Sequence, residues 1–247
     1  MAPDRRGVRP PGCGLGACEV SRPPPWRSQI SGKHLLIRQT IIDGSIHNCH
    51  VFVVARPREF DRNEALVKAT AAFWDKGYAA TSTDDLLKAM GIGRQSLYNA
   101  FGDKRALYLE ALERYQTEST ASHLHRLDAP ESPLEGLKAL LVGLAPKDDV
   151  ERARGCLGVG AVGEFGISDA ELVALRAKVA PLMVVRLLAR IREGQASGEL
   201  DPEMDPEAAA QNLLLSMQAL QLAARAGVSW ASLRDQALFI IDRLTRR

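Results

Sequence analysis

The chain has 247 residues, a charged fraction of 25% and a net charge of +2. It has room for one large domain or two small ones, and any nucleic-acid site must be a local patch, because the surface as a whole carries no strong field. The hydrophobic fraction of 46% with only 5% aromatics is that of a globular, helix-rich protein, and no run of 18 apolar residues offers a membrane span.

The first 53 residues differ from the rest. Arg5-Arg6 is followed by Pro10-Pro11-Gly12 and Pro23-Pro24-Pro25, not by an apolar stretch, so a signal peptide is excluded. Leu35-Leu36-Ile37, Ile41-Ile42 and Val51-Phe52-Val53-Val54 read as short strands, but a helical protein offers them no neighbour. The expectation for residues 1–53 is a disordered arm, basic enough to track DNA phosphates. A sharper hypothesis starts from Val54-Ala55-Arg56-Pro57-Arg58-Glu59-Phe60-Asp61, which reads like the opening of a protein, a valine codon being a possible bacterial start. On it, residues 1–53 are upstream DNA translated from a misplaced start, and an intact native mass equal to all 247 residues would sink the idea. Of the four cysteines, Cys13, Cys18 and Cys49 lie in this stretch and Cys156 is alone in the body. No C-x-x-C pair occurs, and the reading is a reduced, cytoplasmic protein. His47, Cys49 and His50 cluster without a second ligand pair at usable spacing, so no metal site is expected. No cofactor is expected either.

From Asp61 a helical period takes over. Asp61 and Glu64 form a capping-box start, Ala65, Leu66, Ala69, Ala72 and Phe73 recur at helical spacing, and Gly77 closes this first helix. Ser82 and Thr83 open a short second helix to Met90. Gly91-Ile92-Gly93 is a turn, and a third helix covers Arg94 to Phe101. Asp103 caps a fourth, running past Leu107, Tyr108 and Leu112. Ser132-Pro133-Leu134-Glu135 opens a fifth that ends near Pro146, and Lys147 to Gly155 reads as a charged loop. Cys156 to Phe165 is an apolar, glycine-rich helix. Ser168 with Glu171 opens a long helix to about Gln195, which Pro181 should kink or break. Asp205-Pro206-Glu207 and Ser229 open the last two. The fold class is all-α, with about nine helices.

The segment Thr83 to Phe101 is the strongest signal. A helix-turn-helix needs apolar residues that lock one short helix across the other, and Leu86, Leu87, Met90, Ile92, Leu97 and Phe101 supply them. With Leu97 and Phe101 inward, 100° per residue turns Gln95, Ser96, Tyr98 and Asn99 outward, with Arg94 at the helix N-terminus. That is the face a recognition helix presents to a major groove. Arg94 suits a guanine edge, and Gln95 or Asn99 an adenine. Lys88, Arg94, Lys104 and Arg105 give the segment a local basic balance against Asp84, Asp85 and Asp103.

The landmarks Phe73-Trp74-Asp75-Lys76-Gly77-Tyr78, Leu86-Leu87, Met90-Gly91-Ile92, Ser96-Leu97-Tyr98 and Phe101-Gly102-Asp103-Lys104 stand in order over about 55 residues. This stretch resembles the DNA-binding domain of the TetR family of transcriptional regulators, and Ala55 to Asp61 resembles the opening arm of one subgroup. The resemblance implies a helix-turn-helix domain over 54–115 and a ligand-binding and dimerisation domain over 116–247. It implies that Ser82 and Thr83 contact phosphate, that Arg94, Gln95, Ser96 and Asn99 face bases, and that Tyr98 and Lys104 clamp phosphates. Asp84 departs from the family's frequent basic residue and should repel the DNA backbone, and Asn99 replaces a frequent His. The function implied is a homodimeric, sequence-specific regulator of double-stranded operator DNA, a repressor released by a small molecule or an electrophile.

In the body, Leu213, Leu214, Met217 and Leu220, with Leu233, Ala237, Ile240 and Leu244, form stripes read as the dimer interface; the competing reading is that they only complete the subunit core. Cys156 follows Arg152 and Arg154, whose charges would favour a reactive thiolate; the competing reading is a small core residue. Glu164 is either a lining residue of a ligand cavity or solvated. The alternative function, a helical thiol-based enzyme or sensor built on Cys156 without operator binding, lacks a His-Asp partner pattern or paired carboxylates at a recognisable spacing.

Overall fold

The computed structural model of the chain describes residues 36–42, 45–51 and 60–245, divided between two units, Met1–Pro57 and Arg58–Arg247. In the first, β1 (Leu36–Ile42) and β2 (Ser45–Val51) pair antiparallel, with Leu36 opposite Val51 and Ile42 opposite Ser45. Two of the three apolar runs, at Leu36-Ile37 and Ile41-Ile42, thus lie on β1, and Val51 of the third ends its partner strand. The sequence between the strands is Asp43-Gly44, a dipeptide suited to a two-residue hairpin turn. His47, Cys49 and His50 fall on β2, described by its backbone alone. The Val54 start and the arm up to Glu59 lie outside the described residues.

Within the described part of the second unit every regular element is a helix: α1 (Arg62–Lys76), α2 (Thr83–Met90), α3 (Arg94–Phe101), α4 (Lys104–Asp128), α5 (Pro133–Val142), α6 (Asp149–Arg154), α7 (Leu157–Phe165), α8 (Ala170–Ser197), α9 (Pro206–Arg225) and α10 (Trp230–Asp242). The starts follow from side chains that satisfy the unpaired N–H groups of a first turn. Asp61, Ser82, Asp103, Ser132, Asp205 and Ser229 all accept from the backbone they precede. Two readings shift. The charged loop after Pro146 contains α6, capped by Asp148, and α8 is capped by Asp169, not Ser168. Pro181 does not break α8, which is continuous through it.

Two apolar cores organise these helices. The first gathers Phe73 of α1, Leu86 and Met90 of α2, Leu97 and Phe101 of α3 and Leu107, Tyr108 and Leu112 of α4, and extends to Leu157 and Ala161 of α7 and Leu172 of α8. Phe73 meets Tyr108 edge to face, with centroids 5.0 Å apart. The second gathers Leu127 at the far end of α4 with α5, the C-terminal half of α8, α9 and α10. Each fully buried leucine or phenylalanine contributes about 1.5–3 kcal/mol. Of the stripe residues, Leu213, Met217, Leu220, Leu233, Ala237 and Leu244 are buried in this second core, and Leu214 and Ile240 pack against it partly buried, so the stripes complete the subunit. The outer faces of α9 and α10 expose Leu215, Leu222 and Phe239 instead.

The join of α4 to α5 depends on one missing side chain. A Cβ at Gly136 would stand 2.2 Å from the Leu127 carbonyl oxygen, a backbone atom that cannot swing away. On an exposed helix, Gly to Ala stabilises by about 1 kcal/mol. Here Gly136→Ala should act with the opposite sign, lowering the unfolding free energy by roughly 2 kcal/mol or more in urea denaturation. An unchanged or raised midpoint would show that the two helices can part at no cost.

Candidate nucleic-acid interface

The helix pair at 83–101 is fixed by its caps and its inner face. Ser82 Oγ accepts from the Asp85 N–H at 3.1 Å and the Asp85 carboxylate accepts from the Ser82 N–H at 2.9 Å, a reciprocal capping box. Lys76 Nζ lies 2.8 Å from the same carboxylate. Lys76 and the Ser82 hydroxyl and N–H hold Asp85 well below the usual carboxylate range, so the cap stays charged in mild acid. Gly91 takes a left-handed conformation, φ 68°, which a side chain would strain; it turns the chain sharply enough for Leu97 and Phe101 to pack under Leu86 and Met90.

The outer face of α3 is as the spacing predicts. Arg94, Gln95, Tyr98 and Asn99 are exposed and Ser96 is half-buried. Gln95 Nε2 donates to Asn99 Oδ1 at 2.9 Å, which sets both amides side by side along one edge. No side chain caps the α3 N-terminus, where Gly93 is the cap residue. Ser82 is exposed and Thr83 half-buried at the start of α2. Lys104 Nζ sits 4.2 Å from the centre of the Tyr78 ring, an attraction that holds its charge in place.

Two charges behave differently from their sequence reading. Asp84 forms an ion pair with Arg94 at 2.7 Å, so the acid that should repel DNA also restrains the arginine at the head of the reading face. Arg105 is not part of the basic face: it pairs with Asp169 at 2.5 Å and Glu171 at 3.3 Å, and ties α4 to the start of α8.

Behind the reader lies a cavity of about 230 Å³. Its walls come from α4 (Tyr115, Gln116, His123), from Cys156 and α7 (Val159, Val162), from α8 (Arg176, Met183) and from α9 (Leu214, Met217). Cys156 is half-buried in this wall, but the arginines expected to activate it are committed elsewhere. Arg152 donates to the carbonyls of Val228, Pro146 and Lys147 and to Asp149; Arg154 pairs with Asp75 at 2.7 Å. The thiol's neighbour is instead the Tyr115 hydroxyl, whose pKa is pushed far up by burial and by that thiol. Glu164 does not line the cavity and is not simply solvated. Its two carboxylate oxygens accept from the Tyr78 and Ala79 N–H groups at 3.0 and 2.9 Å, so α7 grips the turn between α1 and α2. Phe165 adds ring contacts to Tyr78 and Tyr108 at 5.4 and 5.9 Å, and Trp74 Nε1 donates to the Gly155 carbonyl at 3.1 Å.

Sequence reasoning missed the residues that make the cavity polar: Gln116, Ser119, His123 and Arg176. With Gln218 and Gln221 of α9 they sit on three helices far apart in the chain, and no local pattern marks them. Among the described residues no group of three metal-ligating side chains occurs, and no helix is long and apolar enough to cross a membrane.

The comparisons place this architecture among known proteins. A model of bacterial regulatory proteins of the tetR family matches residues 65–111. The chain is 32% identical over 194 residues to the uncharacterized HTH-type transcriptional regulator YezE of Bacillus subtilis (strain 168), covering 76% of this chain and 100% of that one. It is 32% identical over 188 residues to the HTH-type transcriptional repressor ComR of Escherichia coli (strain K12), covering 74% and 88%. Among solved structures, a cysteine-substituted TetR family transcriptional regulator CifR complexed with a 26-base-pair double-strand operator DNA is similar with a TM-score of 0.65 and 31% identity, over 77% of this chain and 100% of that one.

His123 gives the cavity wall a measurable titration. Burial, and secondarily the charge of Arg126, lower its pKa from 6.5 to about 4. Above pH ~6.5 the imidazole is neutral in both states. As pH falls from ~6.5 towards ~4, the unfolded chain takes a proton that the native chain refuses, so stability falls. Wild type should lose on the order of 2 kcal/mol more than His123→Gln across that window, read as urea midpoints at pH 4.5 and 7. Parallel losses in both proteins would mean that His123 is not shielded.

Proposed function

The chain belongs to the TetR family of bacterial regulatory proteins, and from that premise we propose a homodimeric, cytoplasmic repressor that leaves its operator when a small molecule fills the cavity. Its role as a sequence-specific DNA-binding transcriptional regulator follows from the family. Repression, release and the residues assigned to each step are the proposal. The alternative, a thiol-based enzyme or sensor on Cys156 without operator binding, is not favoured by the relatives, which are transcriptional regulators.

The observation that carries the proposal is a single helix. α4 begins with Lys104, beside the reading face, and Tyr115, Gln116 and His123 further along it line the cavity. α7 makes the second link, with Val159 and Val162 in the cavity wall and Glu164 on the turn that leads into α2. A ligand that displaces either helix moves the reader. Two readers must sit about 34–36 Å apart to enter successive major grooves, so a small rotation of each is enough to spoil the fit. A near-complete switch requires the released state to bind the ligand more tightly by roughly 5.5 kcal/mol.

On the operator, Arg94, Gln95, Ser96 and Asn99 address base edges, and Ser82, Thr83, Tyr98 and Lys104 address phosphates. The second copy docks on the outer faces of α9 and α10, where Leu215, Leu222 and Phe239 are exposed; an apolar, self-complementary surface is what a two-fold dimer needs.

Fluorescence anisotropy with the DNA upstream of the chain's own gene, against a scrambled duplex, tests the reading. Arg94→Ala should lose about 1–3 kcal/mol and relax one base preference. Asp84→Asn should bind several-fold tighter, because it frees Arg94 and removes a charge that faces phosphate. Leu215→Glu with Leu222→Glu should elute as a monomer and lose operator affinity. Equal binding by wild type and Arg94→Ala would show that α3 is not the reading helix.

A further inference from the structure

Four side-chain polar atoms are buried without a hydrogen-bond partner among the described residues: Tyr108 Oη, Gln116 Oε1, Arg176 Nη1 and Arg190 Nε. Two of them belong to residues that line the one cavity described above. Arg176 Nη2 donates to the Gly166 carbonyl at 2.7 Å, which anchors the guanidinium to the end of α7 and leaves Nη1 shielded from solvent. No carboxylate pairs with Arg176 among the described residues. Arg176 is a half-buried cation with one shielded, unfilled donor, and such a charge beside an apolar wall is stabilised by an anionic partner.

The rest of the wall limits that partner. Val159, Val162, Val179, Met183, Leu214 and Met217 make it mainly apolar. The volume, about 230 Å³, lies below the ~300–1,000 Å³ of drug-sized sites, so the occupant is small. Arg176 is the sole basic side chain among the lining residues that stays charged at neutral pH, because His123 is held neutral there by burial and Arg126. A dianion such as phosphate would keep half its charge uncompensated in an apolar wall, and a neutral molecule would leave the guanidinium unfilled. A single carboxylate matches one guanidinium. Gln116 lines the same cavity; its unpaired atom is Oε1, an acceptor, so its contact to a carboxylate would run through the amide NH₂.

We propose that the cavity is a site for a small monocarboxylic acid with a mainly apolar body, its carboxylate held by Arg176 and Gln116. The assignment rests on the ligand-release reading for its regulatory meaning, but not for its binding chemistry.

The test is calorimetric titration of the full chain with sodium benzoate and sodium hexanoate, beside benzamide and hexanamide, which keep the shape and lose the charge. The acids should bind at least about tenfold more tightly than the amides. Arg176→Met should bring the acids down to the amide level, Arg176→Lys should keep part of the difference, and Gln116→Leu should narrow it, with circular-dichroism melts showing which variants fold. If Arg176→Met does not fold, the acid-amide contrast in wild type, Arg176→Lys and Gln116→Leu carries the test. Amides binding as well as acids, no binding of either acid, or a folded Arg176→Met that still prefers acids would each overturn the assignment. Operator release, followed by anisotropy in the same samples, separates the two readings. Acids that bind as expected but leave the operator occupied uphold the site and sink ligand release. Amides that release the operator where acids do not sink the site and leave ligand release standing.

Discussion

α4 belongs to both cores at once, and the rest of the structure depends on that. Leu107, Tyr108, Ala111 and Leu112 are buried with the reader, and Leu127, near the other end of the same unbroken helix, is buried with α5, α8, α9 and α10. Its 25 residues span roughly 37 Å at 1.5 Å per residue. A helix buried at both ends cannot bend in the middle without disturbing packing, because interiors are close-packed and transmit displacement. The reader is therefore not a separate module on a tether. It shares its core with Leu157 and Ala161 of α7 and Leu172 of α8, and the Arg105–Asp169 pair bolts the same joint from outside.

The charges around the reading face follow the same economy of position. α2 begins with a satisfied capping box, whereas the N-terminus of α3 has no side-chain cap. Its free N–H groups and the positive end of its dipole are left for an anion. Arg94 at that end is restrained by Asp84, and Lys104 by the Tyr78 ring. Exposed pairs of this kind contribute little stability. For Lys104 the consequence is geometric, a long side chain held over one ring instead of sampling many rotamers; for Arg94 it is a competitor, an acid that the guanidinium must leave to meet another partner.

What was legible in the sequence is what is local. Caps are set by a side chain and the N–H three residues on, so Asp61, Ser82, Asp103, Ser132, Asp205 and Ser229 all announced their helices. The reading face came from 100° periodicity once Leu97 and Phe101 were taken as inward. Two failures are local, the Asp148 cap of α6 and the Asp169 cap of α8; the others are non-local. α9 is apolar on two faces, and periodicity alone does not say which is core; Leu213 and Met217 are inside and Leu215 and Leu222 outside. Glu164 read as a cavity or solvent residue, because nothing in its neighbourhood shows that two N–H groups more than 80 positions away need an acceptor. Arg152 and Arg154 flank Cys156 in sequence, but α6 carries their side chains to Val228 and Asp75. The cavity's polar residues are brought together by helix packing, which leaves no period to read.

α7 is the weakest link between cavity and reader, and its composition shows why it can act as one. Its sequence is LGVGAVGEF, and each interior glycine costs a helix about 1 kcal/mol relative to alanine. Close packing explains only part of this. A Cβ at Gly158 would meet Cys156 Sγ at 3.5 Å, but at Gly160 and Gly163 it would meet open space. No contact within the subunit demands glycine at those two positions, so sterics do not account for the helix's low intrinsic stability. Elements that must shift between states are drawn from the least stable parts of a fold. α7 has α4 on one side, lines the cavity on another, and holds the Tyr78–Ala79 turn through its last charged residue. A stiffer helix there would fix the reader's position whatever the cavity contained. On the release proposed above, contacts made in the cavity would compete with the two hydrogen bonds that Glu164 accepts from Tyr78 and Ala79, an exchange of a few kcal/mol, the size that moves a two-state balance.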